Sequence, residues 1–109
     1  MIGQASNQLW IYKGRTNIIQ LALGYDVSND TFASEIRKED NRESDLIATF
    51  EVSFETDGID GELILTIDDA DSELEASRGY MDVKRITGGE PIQLFDEPLE
   101  VLIKDPVTA

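Results

Sequence analysis

The segment Leu46-Ile-Ala-Thr-Phe-Glu-Val-Ser-Phe54 alternates apolar and polar side chains over nine residues. Side chains on a strand point to opposite faces in turn, so such a run has one greasy face and one wet face. Leu46, Ala48, Phe50, Val52 and Phe54 share the first, while Thr49, Glu51 and Ser53 share the second. A sheet built this way must cover its apolar face with another layer.

The same period recurs along the chain. Strands are expected at Gln8–Lys13, Thr16–Leu23, Thr31–Arg37, 46–54, Glu62–Asp68 and Gly79–Ile86, with a last one through Leu99, Val101 and Ile103. Their inward sets include Leu9 and Ile11; Ile19, Leu21 and Leu23; Phe32, Ser34 and Ile36; and Leu63, Leu65 and Ile67. Turn chemistry separates them: Gly14-Arg15, Tyr25 to Asp30, two Asp-Gly pairs in 56–61, and Gly88-Gly89. Lys38 to Asp45 is too charged to bury and reads as an exposed loop. Asp68 to Ala76 breaks the period; its acidic start suits a helix N-terminus, and Ala70 and Leu74 are spaced to lie together on the core.

About seven strands at this spacing predict an all-β domain, an immunoglobulin-like two-sheet antiparallel β-sandwich with one short helical turn. A jelly roll or small barrel is the alternative. At 109 residues the chain suits one domain over 1–109, with residues 1–7 expected to be flexible.

Composition narrows the chemistry. The chain has neither cysteine nor histidine, which removes disulfides, thiolate zinc sites, cysteine nucleophiles and histidine-dependent triads. Twenty-three acids against nine bases give a formal charge of -14, a field that repels phosphate backbones and anionic lipid. Neither nucleic acid nor membrane is therefore expected as a partner. No apolar run is long enough for a membrane helix, and the N-terminus has no signal-peptide pattern. No cofactor is expected, and no enzymatic activity.

Asp57-Gly-Ile-Asp-Gly-Glu62 could hold a cation through its carboxylates, but its spacing departs from the twelve-residue calcium loop, and Asp-Gly also serves a plain turn. More informative are apolar residues on faces that should be wet. Trp10, Tyr12, Ile18, Ile47, Ile64 and Leu102 fall opposite the inward series on their own strands, and are the candidate partner-binding residues.

Gly61-Glu-Leu-Ile-Leu-Thr-Ile, the acidic turn Asp68-Asp-Ala-Asp-Ser-Glu-Leu and Gly79-Tyr-Met-Asp-Val-Lys-Arg follow one another in that order. Pro98-Leu-Glu-Val-Leu-Ile and Val107-Thr108 complete the C-terminal half, and Trp10-Ile-Tyr-Lys-Gly14 and Phe32-Ala-Ser-Glu-Ile-Arg37 lie upstream. This succession resembles small structural proteins of tailed bacteriophages, including domains like the N-terminal one of baseplate upper proteins. The resemblance implies an immunoglobulin-like domain in a virion tail, baseplate or neck, assembled in the bacterial cytoplasm. Its partners would be other virion proteins and further copies of itself, as a homo-oligomer. The long extensions of larger baseplate members are missing here, so an adaptor or accessory subunit is expected. A carbohydrate-binding module is the alternative, with Trp10, Tyr12, Tyr25 and Tyr80 as its available aromatics.

Overall fold

The computed structural model describes residues 4–5 (backbone only), 8–39, 41–69, 71, 72, 74, 78–95 and 97–107. The fold is all-β, and no helix occurs among the described residues. The described residues form nine strands: β1 (Gln4–Ala5), β2 (Gln8–Tyr12), β3 (Asn17–Ala22), β4 (Thr31–Arg37), β5 (Leu46–Phe54), β6 (Glu62–Ile67), β7 (Arg78–Thr87), β8 (Glu90–Gln93) and β9 (Leu99–Lys104). Eight lie on one hydrogen-bonded path, β1-β2-β9-β7-β4-β5-β6-β3, and β8 pairs with β7 off that path. The sheet curls until it is nearly barrel-shaped.

β5 makes the curl possible. Its first half, Leu46 to Phe50, pairs with β4, and its second half, Glu51 to Phe54, pairs with β6. One strand thus belongs to two layers, one containing β2, β9, β7 and β4 and the other β6 and β3. Buried side chains from both layers meet in a single cluster: Leu9 and Ile11, Ile36, Phe50, Leu63, Leu65 and Ile67, Met81 and Val83, Val101 and Ile103. Fully burying a side chain of this size stabilises the fold by about 1.5–3 kcal/mol.

Three expectations change. The sheet is mixed rather than antiparallel, because β2 runs parallel to β9 with Trp10 beside Leu102. Among its described residues the stretch from Asp68 makes a single turn and no helix: the Asp68 carbonyl accepts from the Asp71 and Ser72 amides, but the Leu74 amide turns back to the Ser72 carbonyl. Buried Ser72 is tied instead to the β2–β3 connection, where its hydroxyl lies 2.6 Å from the Arg15 carbonyl. Leu74 does pack on the core, while Ala70 lies outside the described residues.

The third change concerns β5. The register between β4 and β5 shifts between Ile36 and Arg37, a bulge that lets an extra residue slip into one strand. Alternation therefore resets at the start of β5: Leu46 is 49% exposed and Ile47 packs against the core. Gly79 on β7 leaves the space that Ile47 fills.

The added strand β8 follows β7 through the two-residue turn Gly88-Gly89, whose φ values of 58° and 83° fit a tight hairpin that side chains would resist. All four β8 residues are exposed, so no period marks them. The expected flexibility of residues 1–7 lies outside the described residues, except that Gln4–Ala5 pair with β2.

Candidate interaction surfaces

The six apolar candidates divide into two groups and an exception. Trp10 and Tyr12 on β2 and Leu102 on β9 stand on the outer face of the larger layer, where the register sets Trp10 beside Leu102 and Leu102 beside Arg78. Ile18 on β3 and Ile64 on β6 stand on the outer face of the smaller layer, and Ile18 is 48% exposed. Ile47 belongs to the core and drops out.

The larger outer face is amphipathic. One row crosses four strands as Gln8, Glu100, Tyr80 and Arg37. The Gln8 amide donates to Glu100 at 2.5 Å, and Arg78 reaches the other Glu100 oxygen at 3.5 Å. Lys104 sits 4.3 Å above the Trp10 ring, a cation–π distance. Tyr12 is 39% exposed next to Lys104. The Arg78–Glu100 pair, long and with Arg78 well exposed, contributes little stability.

A shallow groove of about 110 Å3 opens on the same face, lined by Glu35, Arg37, Arg42, Tyr80 and Asp82 among others. Arg37 is held there by two contacts, to the Ser44 carbonyl at 2.8 Å and to Glu35 at 3.0 Å. Nothing in the alternation of residues marks this groove, because it arises from the β4–β7 register, which sets Glu35 beside Asp82 and Arg37 beside Tyr80. Tyr25 is not part of this surface: its ring lies 4.9 Å from the Arg85 guanidinium, which in turn binds Asp30 at 2.7 Å. A Thr87 hydrogen bond holds the Asp30 carboxyl below its ordinary range; burial opposes it next, and Arg85 adds to the lowering.

Among the described residues the smaller outer face carries no base. Its positions are Ile18, Gln20 and Ala22 on β3, Glu62, Ile64 and Thr66 on β6, and Glu51, Ser53 and Glu55 following along β5. Glu55 and Glu62 come together at its rim, and the Glu62 carboxyl is pushed up, first by its hydrogen bond to Glu55 and then by the charges of Glu55 and Asp60.

The acidic turn uses its carboxylates locally. Asp57 accepts from the Ile59 amide at 3.0 Å and Asp60 from the Glu62 amide at 3.3 Å. Where β4 and β5 part, a cleft of about 320 Å3 opens between Phe32 and Phe54, whose rings meet edge to face at 6.3 Å. Compared with known proteins, the chain matches no family model and no curated sequence.

Proposed function

We propose that the chain is an immunoglobulin-like sandwich serving as a non-enzymatic structural or assembly subunit of a phage particle, in its tail, baseplate or neck. The observation that carries this reading is the strand order. β9, β7 and β4 neighbour one another, β6 neighbours β3, and β5 crosses from the first group to the second. In an immunoglobulin-like domain the third, sixth and seventh strands share one sheet, and the second and fifth share the other. With β1 and the off-path β8 set aside, counting β2 as the first strand and β9 as the seventh gives that distribution for these five strands. It is the fold that the likeness to phage structural proteins implies.

The contacts in this reading are made with protein, through the Trp10–Tyr12–Leu102 surface and the Ile18–Ile64 surface. Aromatics and aliphatics with nearby charges are the composition that protein interfaces favour. The test is quantitative mass spectrometry of purified particles from a host that carries the gene. A fixed copy number relative to other particle proteins is expected. Presence in the lysate and absence from the particles contradicts the reading.

A second reading, a carbohydrate-binding module, draws on Trp10, Tyr12 and Tyr80 sharing one outer face. Glycan-array binding that is lost in Trp10→Ser would favour it.

A further inference from the structure

β3 ends the hydrogen-bonded path: it pairs with β6 on one side, and no strand among the described residues pairs with its other side. An open edge presents a row of backbone donors and acceptors, and natural proteins guard such edges with Lys, Pro, bulges or a cover. β8, a second open edge, carries Pro91 and Glu90. Beyond Asn17, whose buried side chain is tied to Tyr12, β3 has none of these guards among the described residues. It reads Asn-Ile-Ile-Gln-Leu-Ala, its register with β6 runs unbroken, and residues 16–25 contain no charged side chain in a chain of net charge -14. Its inward residues Ile19 and Leu21 pack against the core yet stay only partly buried.

We propose that β3 is the seam of a homodimer, with the edges of two copies pairing antiparallel about a two-fold axis at Gln20. Side chains directly opposite across a pair share a face, so only registers that keep Ile19 and Leu21 inward are allowed. Centring on Gln20 sets Ile19 of one copy against Leu21 of the other, and Ile18 against Ala22. The partly buried aliphatics of both copies then cover one another beneath a continuous sheet. Charge favours this seam over others: two copies of charge -14 repel, and β3 lets backbones approach without opposing carboxylates. This contact is with a second copy and stands independently of the particle reading.

The absence of cysteine makes the test clean. Opposite residues across an antiparallel pair have Cβ atoms about 4.5–5.5 Å apart, close to disulfide reach. Gln20→Cys should therefore crosslink into a dimer under mild oxidation. Ala22→Cys should not, because its equivalent in the second copy lies four residues along the strand, about 13 Å away. Sedimentation of the unmodified protein at about 10–100 µM should give the dimer mass, and Gln20→Lys, which opposes two ammonium groups, should weaken dimerisation at least about tenfold. Added salt should strengthen the dimer, since it screens the net repulsion and no ion pair holds the seam. A monomer throughout that range overturns the proposal, as does Ala22→Cys crosslinking as fast as Gln20→Cys.

Discussion

The side-chain amide of Asn17 holds both backbone groups of Tyr12: its oxygen accepts from the Tyr12 amide at 3.0 Å, and its nitrogen donates to the Tyr12 carbonyl at 2.9 Å. Its second N–H reaches the Arg15 carbonyl at 2.9 Å. β2 and β3 follow one another in sequence but do not pair with each other, and this side chain takes the place of the strand partner that the end of β2 lacks on that side. Asn17 is 4% exposed, so its polar atoms depend on these three bonds.

Asn17→Ala should therefore destabilise the fold by about 2–3 kcal/mol, the cost of leaving shielded backbone groups without partners. Asn17→Asp should not restore it, because a carboxylate can accept from Tyr12 but cannot donate to the two carbonyls. Urea unfolding monitored through Trp10 fluorescence measures both. A loss below about 0.5 kcal/mol would mean that water replaces the amide.

The bulge beside Ile36 makes opposite demands of two neighbours. Ile47→Ser should cost about 2–4 kcal/mol by opening a hole and burying a hydroxyl, whereas Leu46→Ser should fall within about 0.5 kcal/mol of the parent. Equal effects in thermal unfolding would place the bulge elsewhere.

Gly79 tests the same corner from the other side. A methyl group there would lie 2.6 Å from Ile36 Cγ2 and 2.9 Å from both the Arg37 carbonyl and Ile47 Cδ1. Gly79→Ala should destabilise by about 1–3 kcal/mol through overpacking, and Ile47→Val should recover part of that loss by withdrawing the Cδ1 methyl. A neutral Gly79→Ala in chemical denaturation would contradict the packing described.

How far the sequence foretold this structure differs from strand to strand. Leu63, Leu65 and Ile67 alternate without interruption and all three are buried, as are Val101 and Ile103. Phe50 is buried as expected, yet the start of β5 is reversed, because a bulge adds a residue without leaving a mark in composition. β8 has no inward face, so nothing periodic announces it. The turn at Asp68–Ser72 looks helical by its acids, but Ser72 is claimed by a carbonyl 57 residues away. Of the candidate surface, alternation placed Trp10, Tyr12, Leu102, Ile18 and Ile64 outward. Which of them are neighbours depends on the pairing of β2 with β9, whose residues Gln8 and Glu100 stand 92 positions apart.

Two carboxylates give the pH dependence opposite signs. Glu62 is raised in the folded state, so its contribution to stability is fully present below the unfolded value of about 4.3 and is lost as pH rises through the folded value. Glu62→Gln should therefore raise the melting temperature near neutral pH, and the advantage should shrink in mild acid. Asp30 is lowered, so its contribution is present above about 3.9 and is lost as pH falls through the folded value. Asp30→Asn should accordingly flatten the acid limb. Melting curves from pH 2 to 8 decide both, and a Glu62→Gln advantage that grows in acid would reverse the assignment.

On the proposed function, the outer face bearing Trp10 and Tyr12 grips another protein. Its most direct measurement is the incorporation of Trp10→Ser/Tyr12→Ser into particles, beside a melting curve showing that the variant is folded. Incorporation should fall at least about tenfold, as expected when aromatic anchors are removed from an interface. A folded variant that enters particles at the parental copy number contradicts the claim.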